Sequence, residues 1–280
     1  MKILLVSLEL ESLTGQPMYT YNLAKGLTEL GHNVTCVGLK TGGVVTNWLK
    51  EINVRVFNWI DKVEWLDTYD LVIISEQIPG VIDNVICDNI YNLCHSKGDC
   101  DKPIEDDRIK GYLFPREQIK EHWGKEGLIV PIPLDLEKFN IKKEKQDKYT
   151  ILAPCTIDDL RKPMLLNLLK RAEEGQVWIV GKDYGALKGI DIPDNVTIFP
   201  ETDDVTEYMR KADEVAGIFI GTVTLEAWAM GIKTSVYDEK GNWEYVKGDI
   251  TKNNYISVAK LVTDTLCKAQ NEPSQRLNAI

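Results

Sequence analysis

Histidine is scarce in this chain, and so are the patterns that would tie function to a metal or a redox couple. Only three histidines, His32, His95 and His122, occur among 280 residues. The six cysteines, Cys36, Cys87, Cys94, Cys100, Cys155 and Cys267, contain no C-x-x-C pair. Cys87, Cys94, His95 and Cys100 match no closed zinc spacing, and Cys87 and Cys94 lie at helical spacing in an apolar stretch. The cysteines therefore read as reduced and structural, and no metal site is expected. Excess cation is lacking as well. The net charge is −10, which argues against a general nucleic-acid binder but allows an anionic ligand in a local basic pocket. No run approaches the roughly 18 apolar residues of a membrane span. The opening Met1-Lys2-Ile3-Leu4-Leu5-Val6-Ser7 lacks the apolar core and cleavage site of a signal peptide and reads as a buried first strand. The expected location is the cytoplasm. A G-x-G-x-x-G is also missing, and the strand ending Cys36-Val37-Gly38-Leu39 carries no acidic residue for a ribose, so NAD and FAD are not expected.

Short β-branched apolar runs alternate with helix-period segments. Strands are expected at Lys2–Leu8, Asn33–Val37, Val54–Phe57, Leu71–Ser75, Leu128–Pro131, Thr150–Ala153, Val177–Val180, Val196–Phe199, Val215–Ile220 and Thr234–Tyr237. Helices are expected at Pro17–Leu30, around Ile82–Leu93, and at Pro163–Ala172, Thr202–Lys211, Leu225–Met230 and Ile256–Ala269. Near-continuous apolar strands in βα alternation predict an α/β, doubly wound, parallel architecture. That many strands suit two sheets better than one, and the lysine-rich run 142–148 is the natural break. Two Rossmann-like domains follow, 1–145 and 146–280, facing a cleft, with the last helix expected to pack back on the first domain. The acidic stretch Gly98–Arg108 reads as an exposed loop and Asn271–Ile280 as a frayed tail.

Three places carry candidate chemistry. Gly15, ahead of Pro17 at a helix start, either meets an anion or sugar or simply makes a βα turn. Arg161 and Lys162 stand at a helix N-terminus, where positive charge is misplaced unless an anion joins it. A diphosphate would serve, or Asp158 and Asp159 would pair with the two cations locally. Gly221-Thr222-Val223-Thr224 offers free N–H groups at a strand–helix turn, and Glu226, expected in the first helical turn, either accepts ribose hydroxyls or stabilises the helix. His32 falls in a helix–strand turn, and His95 and His122 read as ordinary helix residues.

Leu225-Glu226-Ala227-Trp228-Ala229-Met230-Gly231 resembles the LEAMA.G segment of retaining GT-B glycosyltransferases related to glycogen and sucrose synthases, the family 4-like group. Thr14-Gly15-Gln16-Pro17-Met18-Tyr19 with Leu23-Ala24 and Gly31-His32-Asn33-Val34 is similar to that group's GGvpry…LA…GHeV opening. Residues 129–139 are similar to its vIpnGvDlekF segment, and Trp178-Ile179-Val180-Gly181 to its l.ivG strand. The resemblance spans roughly residues 1–245 and implies a GT-B fold with transfer of a sugar from a nucleotide-diphosphate sugar, with retention. Arg161 and Lys162 would hold the diphosphate without a metal or other cofactor. Glu226 would hold the ribose. The amides of Gly221, Thr222, Val223 and Thr224 would face phosphate or sugar, with Gly15 and Gly181 in the donor site and Pro200 beside the base. The acceptor would be a hydroxyl of a glycan, glycolipid or protein glycan.

The chain departs from the group at three points. Thr14 stands for the first glycine of the opening pair, the histidine after the fourth strand is replaced near Glu76 or Gln77, and Ile218 occupies the place of the earlier of two glutamates. Glu76 is the candidate for contacting acceptor or transferred sugar. The departures leave two alternatives, a non-catalytic nucleotide-sugar or glycan-binding module and a sugar-nucleotide epimerase of the same architecture.

Overall fold

The computed structural model describes residues 1–61, 67–76, 78, 80–238 and 240–268. Gln77 and the tail 271–280 lie outside the described residues. The chain divides into two units. The first is Met1–Leu134 together with Lys252 onward, and the second is Asp135–Thr251.

In the first unit the apolar runs become β1 (Lys2–Glu9), β2 (Asn33–Lys40), β3 (Arg55–Asn58), β4 (Leu71–Ser75), β5 (Ile90–Leu93), β6 (Ile109–Phe114) and β7 (Gly127–Ile129). They form one parallel sheet in the order β3-β2-β1-β4-β5-β6-β7. Alternate residues Leu4, Val6, Val72 and Ile74 are buried together on one face, while Ile3, Leu5, Leu71 and Ile73 are equally buried. Burial on both faces is why these strands read as unbroken apolar runs. Helices α1 (Gly15–Glu29), α2 (Val44–Glu51) and α3 (Glu117–Trp123) lie between strands, and α7 (Tyr255–Lys268) completes the unit against α1.

The α1–α7 contact is a close one. A Cβ on Gly26 would lie 2.5 Å from the Tyr255 carbonyl oxygen and 2.8 Å from the Ala259 Cβ, and Tyr255 Oη donates to Glu29 Oε1 at 2.9 Å. Gly26→Ala should therefore destabilise the protein by about 1–2 kcal/mol, the overpacking cost exceeding the gain in helix propensity. Urea denaturation checks this; a variant more stable than the parent would show that the helices part freely.

The second unit holds β8 (Thr150–Pro154), β9 (Gln176–Val180), β10 (Val196–Phe199), β11 (Glu214–Gly217), β12 (Lys233–Tyr237) and β13 (Trp243–Val246). Their order is β10-β9-β8-β11-β12-β13, with only β13 antiparallel. Helices α4 (Lys162–Lys170), α5 (Thr206–Met209) and α6 (Thr222–Ala229) connect them. The lysine-rich run lies inside this unit, where Lys143 pairs with Asp213 at 3.1 Å and Glu144 N–H donates to Arg210 O at 2.7 Å. Each sheet reverses its strand order once, at β1/β4 and at β8/β11, and the carboxyl ends flanking such a reversal are where ligands of these sheets bind.

Three expected elements are corrected. The helix around Ile82–Leu93 is a 3-10 turn at Ile82–Asn84 followed by strand β5, so His95 follows a strand instead of lying on a helix. The stretch Gly98–Arg108 is not simply an exposed loop, because Asp101 is buried and accepts hydrogen bonds from Ser96 Oγ and the His95 N–H. The helix expected over Thr202–Lys211 shortens to α5 because Asp204 Oδ1 receives the Thr206 N–H at 3.1 Å and stops the chain from coiling earlier.

Candidate functional site

At the carboxyl end of β8, Asp158 organises the entry to α4. Its Oδ1 accepts the Arg161 N–H at 3.0 Å and its Oδ2 pairs with the Arg161 guanidinium at 2.5 Å. Arg161 is thus the N-cap residue and already holds a counter-ion. Lys162, the first helical residue, is half-buried and has neither hydrogen bond nor ion pair with the described residues. Of the two expected cations it is the one whose charge is uncommitted.

The loop after β9 lies directly against the loop after β8. A Cβ on Gly181 would stand 2.1 Å from the Cys155 carbonyl oxygen, so only glycine fits this approach. Ile157 N–H donates to Lys182 O and Tyr184 N–H to Ile157 O, each at 2.9 Å. Pro200, after β10, is exposed.

After β11 the chain passes through Ile218, half-buried against the cluster of Met164, Leu165 and Ala186, and Phe219 to Gly221, the N-cap of α6. Thr224 Oγ1 donates to Phe219 O at 3.2 Å and lies 3.5 Å from the Gly221 N–H. This side-chain bridge starts the helix at Thr222, earlier than expected, so Glu226 is its fifth residue and belongs to the second turn. The helix dipole acts mainly within the first turn, which weakens the reading of Glu226 as a helix stabiliser. Glu226 is buried and has no hydrogen bond with the described residues. Burial pushes its carboxyl up to about 7, with the Lys138 ammonium pulling the other way. The residue is buried, yet its carboxyl oxygens keep some access to solvent and take no donor from the described residues, and carboxyls with a raised pKa collect at binding sites.

In the first unit, Gly15 is exposed as the first residue of α1 after the N-cap Thr14. Glu76 follows β4 with φ 69, a left-handed conformation unusual for a side-chain-bearing residue. It is buried, and its Oε2 accepts the Leu8 N–H at 2.7 Å, the group that β1 presents beyond its last pairing with β4. Burial pushes the Glu76 carboxyl up to about 7; the Leu8 N–H opposes this and the Asp101 carboxylate adds to it. Gln16 Nε2 donates to Asp101 Oδ1 at 3.3 Å. His95 stands edge-on to Tyr19 at 4.7 Å between ring centres, and burial lowers it to about 4. Among the described residues, no three His, Cys, Asp or Glu side chains are grouped to hold a metal ion.

No protein-family model and no curated protein sequence matches this chain. Solved structures do match it. The chain superposes on AviGT4, a glycosyltransferase of avilamycin A biosynthesis, with a TM-score of 0.63 and 14% identity over 96% of this chain and 97% of that one. A glycosyltransferase from Rickettsia africae ESF-5 gives 0.60 and 13% over 97% and 89%. Anabaena Alr3699/HepE, solved in complex with UDP, gives 0.61 and 10% over 98% and 91%. The chain has the GT-B fold.

Within this GT-B chain, the carboxyl ends of β8, β9, β10 and β11 bring Lys162, Gly181, Pro200 and Gly221 to one edge of the second sheet. Glu76 and Gly15 belong to the other unit. Sequence reasoning passed over Asp101, Lys138 and Tyr184. Asp101 was hidden in an acidic stretch, and Lys138, although inside the matched segment 129–139, was given no role of its own. Tyr184, three residues beyond the strand-ending Gly181, was the one with a local signal. No described helix is long and apolar enough to cross a membrane.

Proposed function

We propose that the protein is a glycosyltransferase that moves a sugar from a nucleoside-diphosphate sugar to an acceptor hydroxyl, with retention and without a metal ion. The observation that carries this reading is Glu226, a carboxyl of a buried residue that keeps some solvent access and has no donor from the described residues, one helix beyond the strand reversal of the second sheet. Two adjacent hydroxyls of a ribose would satisfy it. Lys162 supplies an uncommitted ammonium at the start of α4, where a diphosphate would also meet helix N–H groups. Its charge would stabilise the leaving diphosphate, and the guanidinium of Arg161, oriented by Asp158, would add donors. The UDP carried by the similarly folded Anabaena protein agrees with a nucleotide ligand. In the first unit, Glu76 is the proposed contact to acceptor or transferred sugar and Gly15 a proposed donor contact, the acceptor being a glycan, glycolipid or protein glycan. The cytoplasm is the proposed location.

A second reading, a nucleotide-sugar-binding module without turnover, is favoured by Ile218. That side chain packs into the apolar cluster and offers no hydrogen bond to a sugar.

Calorimetry on the full chain with UDP, GDP and ADP in EDTA tests the first reading. At least one diphosphate should bind, and Lys162→Ala should weaken it about tenfold, roughly 1.4 kcal/mol, while affinity for the matching nucleoside stays put. Absence of binding to all three nucleotides would sink the proposal. Release of free sugar from the bound donor separates the enzyme from the module.

A further inference from the structure

A side chain that is both ionisable and buried is normally paired. Glu214 follows that rule, its carboxylate meeting Arg171 Nη1 at 2.7 Å. Glu76, after β4, and Asp101, between β5 and β6, do not. Each is only 3% exposed, and neither forms an ion pair with a described residue.

The donors around the two acids are all neutral. Glu76 Oε2 accepts the Leu8 N–H at 2.7 Å. Asp101 Oδ2 accepts from Ser96 Oγ at 2.5 Å, and its Oδ1 accepts the His95 N–H and a Gln16 amide hydrogen, each at 3.3 Å. Burial chiefly raises the Glu76 pKa, and the Asp101 and Glu9 carboxylates add to the rise. The Leu8 N–H and the Gln16 amide oppose it. Gln16 therefore stands between both acids, and the field at Glu76 is negative from two further carboxylates.

Two independent observations point to a ligand here. Beside Asp101, His95 Nε2 is a buried nitrogen with no hydrogen-bond partner among the described residues. Burial lowers that ring to about 4, so it is neutral at pH 7 and one of its nitrogens can accept a hydrogen bond. Cys100 is exposed, and after burial it is the Asp101 and Glu76 carboxylates that raise its thiol. The two acids thus lie just beneath solvent. They also adjoin the reversal of strand order between β1 and β4, where ligands of such sheets enter. A metal ion does not fit, because no three His, Cys, Asp or Glu side chains among the described residues are grouped to hold one. An ammonium fits better. It brings the charge and the three N–H donors that carboxylates and a neutral imidazole lack. We infer that Glu76 and Asp101 bind a protonated amine of the acceptor, so that the acceptor carries an amino sugar. This rests on the reading of the chain as a glycosyltransferase with its acceptor contact at Glu76. A hydroxyl in the amine's place offers one hydrogen to two buried acids, and a site built for hydrogen-bond donors discriminates strongly against a ligand that lacks them.

The probes are glucosamine, N-acetylglucosamine and glucose, titrated into the full chain at pH 7 and followed by ligand-observed NMR. UDP, GDP and ADP are titrated into the same samples by calorimetry. Glucosamine should bind at least about tenfold more tightly than either neutral sugar. Asp101→Asn and Glu76→Gln keep the shape and remove the charge, so each should erase most of that preference and leave glucose affinity alone. Asp101→Asn should also leave nucleotide affinity at the parental level. Acetylation alters the ligand and not the protein, so the comparison of the sugars on the parent chain decides even if a variant fails to fold. Equal affinity of the parent for glucosamine and glucose overturns the inference. A preference that survives both substitutions overturns it too, since the ammonium would then lie elsewhere. Nucleotide binding without an amine preference overturns this inference alone. An amine preference that both substitutions erase, without any nucleotide binding, supports the ammonium site and removes the transferase reading instead.

Discussion

Glu214→Ala is expected to cost about 3–5 kcal/mol of stability, a large part of the roughly 5–15 kcal/mol that holds a typical domain folded. Glu214 opens β11 in the middle of the second sheet and is fully buried. Its Oε1 accepts from Arg171 Nη1 at 2.7 Å and from Ser235 Oγ at 2.5 Å, and its Oε2 accepts from Tyr149 Oη at 2.8 Å. Arg171 is buried with it, forks onto Glu174 at 3.0 Å and lies 5.1 Å from the Trp243 ring centre. Removing the carboxylate leaves a buried guanidinium, a serine and a tyrosine short of their acceptor, and that desolvation is the main cost. Burial alone would raise the Glu214 pKa, but hydrogen bonds from Arg171, Ser235 and Tyr149 outweigh it and the pKa is lowered. A carboxylate with a depressed folded pKa contributes its full stability above the unfolded value near 4.3 and loses it as pH falls through the folded one. The deficit of the alanine variant should therefore be full at pH 7 and shrink in acid below about pH 4. Urea denaturation at the two pH values reads both effects. A loss under about 1 kcal/mol at pH 7 would mean that water reaches the cluster and serves it as well as the carboxylate does.

That cluster shows where sequence reading runs out. Glu214, Arg171, Ser235 and Tyr149 come from four separate places along the chain, and nothing local to any of them announces a partner tens of residues away. The parallel strands were legible because burial on both faces writes a continuous apolar run, and each expected strand has a counterpart in the fold. Strand β5 was not, because residues 82–93 have helical spacing as well as β-branched content. Pairing with β4 and β6 on both sides decided the matter, and such non-local pairing overrides local preference. Strand β6 contains Gly111, where an added Cβ would lie 3.5 Å from the Tyr91 ring, and its weak strand signal was masked by the charged residues before it. Helix α2 follows a Gly-Gly pair and carries two valines and a threonine, a poor local helix signal. In the candidate site, Lys162 and Glu226 stood out in the sequence by residue type and position. That Asp158 already occupies Arg161, and that Glu226 sits a turn deeper, depends on capping by Asp158 and Thr224, which spacing alone does not reveal.

Glu226→Gln should make the protein more stable and a poorer nucleotide binder at the same time. The carboxyl is buried in α6 with no donor from the described residues, and burial raises its pKa from 4.5 to about 7. An acid with a raised folded pKa favours folding least when ionised. Its cost is absent below the unfolded value, grows as pH rises toward 7 and is constant above it. At about 1.36 kcal/mol per pKa unit the full cost is on the order of 3 kcal/mol. Glutamine has nearly the same shape and never ionises, so the variant should gain up to that amount at pH 8 and almost nothing at pH 4. Sites kept at a cost in stability are those where function needs them. If ribose hydroxyls are the missing donors, each charge-assisted hydrogen bond lost is worth about 1.5–3 kcal/mol, and nucleoside-diphosphate affinity should fall by about ten- to a hundredfold. The 2′,3′-dideoxy analogue, having no donors to offer, should bind both proteins alike. Donation to the ionised form also means that binding to the parent protein should tighten as pH rises from 6 toward 8, and this slope should vanish in the variant. Thermal unfolding at pH 4 and pH 8, with calorimetry for the two ligands, measures all of this. A variant less stable than the parent at pH 8 would show that Glu226 already has a donor in the folded protein. Equal losses for both ligands would show that the carboxylate does not face the ribose.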